Sequence, residues 1–207
     1  MKVASWLLLF GIAASNGRVI NFDTYPVGRT PSEWTSVGNR GRAAQWEVRR
    51  DGSAPTQPHV FAQLSAEAGP DRLPLAILKN VTLRDGDVSV RIKPVSGHEV
   101  RGGGLVWHYR DENNYYLVRA SALEKNVAVF KVQNGQRIPL LAVARHDIPS
   151  NDWSILKVSV RGNRFQVYLD HRRILQGYDG TFTAGQVGLC TVADSVAYFD
   201  DFRVYPK

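Results

Sequence analysis

The sequence predicts an all-β domain, built as a sandwich or a barrel of antiparallel strands, and three observations predict it. Short runs rich in Val, Ile, Tyr, Phe and Trp alternate with polar residues at a period of two, as Val88 and Val90 alternate with Ser89 and Arg91. Clusters of Gly, Asn and Asp separate these runs and mark tight turns. The runs recur at intervals of roughly 8–12 residues, which is the strand spacing of sandwiches and barrels.

The individual elements follow from the same two signals. Alternating runs predict strands at residues 88–92, 105–110, 127–132, 153–160 and 164–169. Turn signals predict chain reversals at residues 84–87, 111–114, 133–136, 161–163 and 179–180. Residues 26–75 are rich in Pro, Gly and polar residues, so they are predicted to form loops with a few edge strands, and one short helix is predicted near residues 64–68.

Length and composition suit one domain with an ordinary core, or at most one domain with a short appendage. The sequence has 207 residues, of which 43% are hydrophobic and 22% are charged. A chain of this length buries enough apolar surface to fold without disulfide or metal staples. The single cysteine, Cys190, excludes an intrachain disulfide and a cysteine-rich zinc site. No apolar run after the N-terminus approaches the ~20 residues that a membrane span needs.

The first fifteen residues have the three parts of a secretory signal peptide. Lys2 supplies the positive charge, residues 6–14 supply the apolar stretch, and Ala13, Ala14 and Ser15 supply small residues for cleavage. We therefore expect a signal peptide at residues 1–15, a mature domain at residues 16–207 and a secreted or periplasmic protein. The alternative is a buried N-terminal strand or helix.

The net charge of +7 favours an anionic partner. Lys and Arg number 26 against 19 Asp and Glu, which raises the odds of nucleic acid, anionic lipid or an acidic polysaccharide. The basic residues are scattered, and the densest clusters, at residues 49–50 and 171–173, are too short for nucleic-acid tails. We therefore expect no nucleic-acid partner; a basic but merely solvated surface is the simpler alternative.

Strand alternation also assigns side chains to faces of the predicted sheet. If Tyr109 pairs with Tyr116 across the turn at residues 111–114, one face is apolar and forms the core, with Ala128, Phe130 and Val132 of the next strand also facing inward. The opposite face then collects aromatic and cationic groups. Its predicted members are Arg91, His108, Tyr115, Arg119 and Lys131. An ordinary solvated face is the alternative, and a register error of one residue would reverse the assignment.

That mixed face has the chemistry of a sugar site. Aromatic rings pack against the apolar C–H faces of sugars, while a few placed polar groups fix the orientation. Planar guanidinium groups also suit a carboxylate or sulfate through paired hydrogen bonds. We therefore expect Tyr115 to stack on a sugar, Arg119 to bond its hydroxyls or a carboxylate, and His108 to add a polar contact.

Several segments of the sequence resemble a known family. Residues 104–119 are similar to the "GlvfRyxDxxNYYxvR" segment of laminin-G-like, concanavalin A-type jelly rolls, and residues 129–135, 153–160, 185–191 and 199–202 continue the likeness. The pattern resembles exported bacterial domains of the family 16 glycoside hydrolase-like and 3-keto-disaccharide hydrolase-like groups. The resemblance implies a two-sheet antiparallel jelly-roll sandwich.

The sequence departs from these groups at the positions of their chemistry. The Glu-x-Asp-x-x-Glu acids of family 16 glucanases are absent, and the segments expected beside the "fR" strand of the 3-keto-disaccharide hydrolases are replaced at residues 101–104 and 117–119. His108 stands where the family often has Arg. Whether the protein is an enzyme is therefore left open by the sequence.

Sandwiches of this type often join their terminal strands through a calcium ion, and acidic residues lie at both ends of this chain. Asp23 falls in the first strand region, and Asp200 and Asp201 fall in the last. Hard oxygen ligands suit calcium, so a structural calcium site is the one cofactor expected. Ordinary turn or edge-strand carboxylates are the alternative.

The expected function is that of an exported, monomeric module that binds carbohydrate noncovalently, with an acidic glycan as the expected ligand. One alternative is a hydrolase of 3-keto-disaccharides or related glycosides. A second alternative is an envelope module that binds another protein.

Overall fold

The structure is a computed structural model that describes residues 17–38, 44–69, 71–144 and 146–207. The predicted signal peptide at residues 1–15 lies outside the described residues. Within the described ranges the chain forms strands, turns and loops, with no helix, so the all-β prediction is confirmed. No helix there is long and apolar enough to cross a membrane.

Fifteen strands are present in the described part of the chain. They are β1 Arg18–Ile20, β2 Trp34–Val37, β3 Trp46–Arg50, β4 His59–Gln63, β5 Leu75–Leu83, β6 Gly86–Ser96, β7 Gly102–Asp111, β8 Asn114–Ser121, β9 Asn126–Gln133, β10 Gln136–Ala144, β11 Ser154–Arg161, β12 Arg164–Leu169, β13 Arg172–Tyr178, β14 Gly185–Thr191 and β15 Val196–Pro206. All recorded pairings are antiparallel.

The strands form two sheets that pack face to face. The eight-stranded sheet has the order β13-β12-β11-β6-β15-β4-β3, with β1 paired to β15. The seven-stranded sheet has the order β10-β9-β8-β7-β14-β5-β2. Because neighbours in these orders are often distant in sequence, the sheets are built by crossovers as well as hairpins, as a jelly roll requires.

The main core lies between the sheets and is aromatic in its centre. Trp107 of β7 stacks on Tyr116 of β8 with ring centroids 5.3 Å apart, and Phe61 of β4 packs between Trp34 and Trp46. A second apolar cluster, around Tyr115, Leu117, Val106 and Cys190, lies on the outer face of the seven-stranded sheet. Apolar side chains therefore occupy both faces of that sheet.

Two hairpins are closed by the turn residues that the sequence singled out. Asn134 and Gly135, both with positive φ, join β9 to β10, as the mirror-image turn of a two-residue hairpin requires. In the β7–β8 turn the Asp111 carboxylate accepts a hydrogen bond from the Asn113 N–H at 2.8 Å. These reversals are where the alternation pattern placed them.

The glycines that open β7 serve close packing of strands. A side chain at Gly104 would bring its Cβ to 1.7 Å from the Val118 carbonyl oxygen, and one at Gly102 would meet the Ala120 carbonyl oxygen at 2.0 Å. Only glycine allows β7 to approach β8 this closely.

Three local expectations are wrong. The predicted pairing of Tyr109 with Tyr116 is replaced by Trp107 with Tyr116, because a bulge between Trp107 and Asp111 adds residues to β7. Residues 64–68 form irregular chain instead of a helix. The segment at residues 59–63, expected among loops and edge strands, is the fully buried strand β4.

Candidate functional site

The outer face of the seven-stranded sheet carries two adjoining depressions that share one residue, Arg137 of β10. The first has a volume of about 390 Å³ and the second about 350 Å³. The first is lined by Asp71, Leu73, Glu112, Asn113, Tyr115, Val132, Gly135, Gln136 and Arg137. The second is lined by Glu99, Val100, Arg119, Glu124, Arg137, Val192 and Ala193. We call the two together the cleft.

An aromatic ring held between two guanidinium groups lies beside the cleft. Phe130 of β9 is half-buried, with the Arg137 guanidinium 5.4 Å and the Arg119 guanidinium 5.9 Å from its ring centroid. Register places them there, since Leu117 pairs with Phe130 and Val132 pairs with Arg137 across neighbouring strands. On the same face, the rings of Tyr109 and Tyr115 pack together with their centroids 5.7 Å apart.

Arg119 is the most buried cation of the cleft. Its side chain is 8% exposed and pairs with the Glu124 carboxylate, and its Nη2 donates to the Asn126 side-chain oxygen at 3.0 Å. Burial lowers the pKa of Arg119 from its ordinary value, the nearby charge of Glu124 opposes that shift, and Arg137 adds to it. Its Nε is buried and has no hydrogen-bond partner among the described residues.

Tyr115 lies under the cleft and presents little of its ring. The residue is 1% exposed, and burial raises the pKa of its hydroxyl well above the ordinary value. A ring this covered offers almost no face for a sugar to stack on. The half-buried rings of Phe130 and Tyr109 are the aromatic surfaces that remain on this face.

Two fixed loops form the rim of the cleft. The Asp194 carboxylate accepts hydrogen bonds from three successive N–H groups, those of His98, Glu99 and Val100. Burial raises the pKa of Asp194, but these N–H groups outweigh burial and hold the pKa below its usual value. At the other end the Gly135 N–H donates to the Asn113 carbonyl at 3.1 Å, which joins the tips of two hairpins.

His108, expected to touch ligand, is a buried structural residue. It is 1% exposed and has a positive φ of 49°, at the β7 bulge. Its two ring nitrogens lie 2.8 and 3.0 Å from the carbonyl oxygens of Phe182 and Arg84, and its ring meets Tyr116 edge to face. Burial lowers the pKa of His108 more than those carbonyls raise it. The imidazole therefore faces the interior side of the sheet.

Lys131 and Arg91, also expected on this face, lie elsewhere. Lys131 pairs with Tyr116 across β8 and β9, so its side chain points to the inner side, where Nζ meets the Asp179 carboxylate at 2.8 Å. Arg91 belongs to β6 of the eight-stranded sheet and pairs with Asp201 at 3.0 Å. The expectation that the five residues share one face is therefore wrong, and only Tyr115 and Arg119 do.

The three carboxylates expected to hold calcium point to different partners. Asp201 pairs with Arg91 and Arg203, Asp200 accepts from the backbone and hydroxyl of Thr56, and Asp23 accepts from the His59 N–H. Among the residues described, no three His, Cys, Asp or Glu side chains lie close enough together to hold a metal.

The sequence reasoning missed Arg137, which lines the cleft, and Phe130, which lies beside it. Phe130 was assigned to the core with Ala128 and Val132, whereas all three face outward opposite Leu117, Arg119 and Tyr115. The signal for Arg137 was the Asn-Gly turn, because a two-residue turn fixes the pairing of Val132 with Arg137.

Comparison with known proteins defines the class of fold. The two sheets and their strand order form a jelly roll of the concanavalin A type, as the resemblance implied. No family model matches the sequence. The structure is similar to the carbohydrate-binding module CBM66 from Bacillus subtilis, with a TM-score of 0.67, 24% identity, and coverage of 83% of this chain and 94% of that one.

More distant structures have the same fold. A native glycosidic hydrolase matches with a TM-score of 0.61, 13% identity, and coverage of 93% of this chain and 97% of its own. The carbohydrate recognition domain of Emp47p matches with a TM-score of 0.60, 11% identity, and coverage of 94% and 96%. At these identities the likeness establishes the fold.

One curated protein matches by sequence. The levanase of Bacillus subtilis strain 168 is 30% identical over 180 residues, which are 86% of this chain and 23% of levanase. The chain thus spans about a quarter of the length of the curated relative it matches.

Proposed function

We propose that the protein binds carbohydrate noncovalently in the cleft on the seven-stranded sheet. The observation that carries the proposal is the cluster of Phe130, Arg119 and Arg137 beside a cleft whose lining combines carboxylates, amides and guanidinium groups. The likeness to CBM66 and to the Emp47p recognition domain, which their names describe as carbohydrate-binding, supports it, as does the levanase match.

Each part of the cleft suits one part of a sugar. Beside the cleft, the half-buried ring of Tyr109 offers apolar surface for C–H faces. The guanidinium of Arg137 and the carboxylate of Glu112 offer a donor and an acceptor for neighbouring hydroxyls. Arg119 lies in the lining of the second depression, where its guanidinium group adds positive charge beside Arg137.

The charge of the cleft favours neutral sugars. Four carboxylates line it, those of Asp71, Glu99, Glu112 and Glu124, against the two guanidinium groups of Arg119 and Arg137. Since carboxylates repel an anionic ligand and accept from hydroxyls, the cleft suits hydroxyl-rich sugars better than the acidic glycan expected from the net charge.

The test is binding of the purified protein to an array of neutral and acidic glycans, followed by titration calorimetry on the ligand retained. Arg137→Gln and Glu112→Gln should each weaken binding about tenfold, the loss of one charge-assisted hydrogen bond. The matched control is Arg164→Gln, which removes one exposed arginine from the other sheet and should leave affinity within twofold. Failure to retain any glycan, or unchanged affinity of Arg137→Gln, would contradict the proposal.

A glycoside hydrolase is the second candidate, because Asp71 and Glu112 line the same depression. Hydrolysis of a glycosidic bond ordinarily uses two carboxyl groups, one on each side of the bond. The test is release of reducing sugar from 3-keto-disaccharides. Turnover that Glu112→Gln abolishes while ligand affinity stays measurable would favour the enzyme over the binding module.

We also propose that the protein is exported. The pattern of residues 1–15 supports this, and Cys190, the one cysteine, is fully buried, which suits an oxidising compartment. Fusing residues 1–20 to a reporter that is active only outside the cytoplasm tests it, and an inactive fusion would contradict it.

A further inference from the structure

A row of residues crosses the outer face of the eight-stranded sheet in direct register. Arg173 pairs with Tyr168, Tyr168 with Lys157, Lys157 with Ser89, and Ser89 with Arg203, across strands β13, β12, β11, β6 and β15. Three of these five side chains are cationic. We call this set, together with Arg91 beside it on β6, the basic row.

The centre of the basic row is a depression with a volume of about 270 Å³. Its lining includes Arg91, Lys157, Tyr168, His171 and Arg203. Because it lies on the sheet opposite the cleft, it is a separate site.

An internal carboxylate holds two of the cations in place. Asp201, whose side chain is 9% exposed, pairs with Arg91 Nε at 3.0 Å and with Arg203 Nη2 at 3.4 Å. The two arginine side chains remain 38% and 44% exposed. One carboxylate thus orders two guanidinium groups and neutralises only one of their charges.

The charge around the row stays positive. Two further cations of this face, Arg161 and Lys93, are matched by their own carboxylates, Asp87 and Asp51. The carboxylate of Asp170, in the turn beyond β12, accepts a hydrogen bond from the Ile155 N–H. Asp170 and Asp201 together supply two negative charges near the basic row. The row itself carries four positive charges, those of Arg91, Lys157, Arg173 and Arg203, so its net charge stays positive.

We propose that the basic row binds the carboxylate or sulfate groups of an acidic polysaccharide. Strands lie ~4.8 Å apart, so cations two strands apart, such as Arg173, Lys157 and Arg203, are spaced ~10 Å along a line across the sheet. A linear polyanion bound along that line would meet a cation about every 10 Å. The guanidinium groups of Arg91 and Arg203 match the planar oxygens of a carboxylate or sulfate.

The same face is poorly suited to single-stranded nucleic acid. Proteins that bind it sequence-independently stack bases on open aromatic rings. Here the Lys157 ammonium group lies 4.5 Å from the centroid of the Tyr168 ring and covers that face. The cations of the basic row can therefore bind anionic groups, whereas the face of the Tyr168 ring is already covered by Lys157.

The experiment compares polygalacturonate and dextran sulfate, as carboxylate and sulfate ligands, with neutral dextran by affinity electrophoresis at low salt. The full chain should be retarded by one or both polyanions, less so as salt rises, and not by dextran. Lys157→Gln with Arg203→Gln should weaken that binding about tenfold. The matched control, Lys125→Gln with Arg29→Gln, removes two exposed charges elsewhere and should change it less than twofold.

The outcomes separate the possibilities. No retardation by either polyanion, or equal weakening in the control, overturns the proposal, since the second result would reflect net charge alone. Tighter binding of a single-stranded oligonucleotide than of either polysaccharide, lost in the double variant, would replace it with nucleic-acid binding. If the double variant fails to fold, Lys157→Gln alone carries the test, because Lys157 takes no part in the Asp201 ion pairs. Neutral-glycan binding in the cleft is measured separately and should be unchanged.

Discussion

The ion pair of Lys131 and Asp179 joins β9 of the seven-stranded sheet to the loop before β14, and its loss should be measurable. Asp179 accepts from Lys131 Nζ at 2.8 Å, from the Tyr116 hydroxyl at 2.6 Å and from the Thr181 N–H at 2.9 Å. The Lys131 and Asp179 side chains are only 12% and 14% exposed. Burial raises the pKa of Asp179, but these donors outweigh burial and hold it far below its usual value.

Asp179→Asn keeps the shape and removes the charge, so it should cost the difference between charge-assisted and neutral hydrogen bonds. That difference, with Lys131 left unpaired, is about 2–3 kcal/mol at pH 7. For a domain of this size the melting temperature should fall by about 5–10 °C. Since the folded-state pKa is depressed, this stability is fully present above pH 4 and is lost as pH falls below it.

Thermal and urea melts of wild type and variant at pH 7 and pH 3 measure both effects, and the gap should shrink at pH 3. The matched control is Asp147→Asn, which breaks the exposed Lys125–Asp147 pair and should leave stability unchanged within error. A loss below 0.5 kcal/mol in Asp179→Asn, or a gap that does not narrow in acid, would refute the reasoning.

Three further predictions concern other buried groups. Burial raises the pKa of Asp200 to about 6, so between pH 4 and 6 the folded state holds a proton on Asp200 that the unfolded state has lost. The free energy of unfolding should therefore fall by up to about 3 kcal/mol as pH rises from 4 to 7. Asp200→Asn should remove this pH dependence in thermal melts across the same range. The calcium site stays a prediction: if Asp23, Asp200 and Asp201 bind calcium, millimolar calcium should raise the melting temperature of wild type but not of Asp200→Asn. An unchanged melting temperature of wild type would contradict it. Burial raises the pKa of the Cys190 thiol to about 12, so a thiol reagent should label it only on unfolding, and rapid labelling of native protein would contradict the burial.

The alternation of residues predicted the strands and turns well because it depends on local geometry. The reversal at residues 111–114 pairs Asp111 with Asn114, and the strand at residues 164–169 is β12. Period-two patterning is a property of each strand alone, so it predicts strands even when the rest of the fold is unknown.

The membership of the site depended on non-local facts that alternation does not carry. One bulge in β7 moved Tyr109 away from Trp107 and onto the face of Tyr115. Both faces of the seven-stranded sheet are apolar, so hydrophobicity did not tell which face of β9 was the core. Phe130 was therefore predicted to face inward and Lys131 outward, the reverse of the structure. Sheet membership, which separated Arg91 from Arg119, is set by crossovers between distant strands.

Arg119 is the residue where stability and binding give different answers. A guanidinium in an apolar face carries a desolvation penalty that a single ion pair does not always repay, and well-packed apolar residues often replace such pairs without loss of stability. The pair with Glu124 and the bond to Asn126 account for part of the Arg119 hydrogen-bonding capacity, and Nε stays buried with no acceptor in the described chain. Stability therefore gives only a weak reason for an arginine here, and the place of Arg119 in the lining of the second depression gives another.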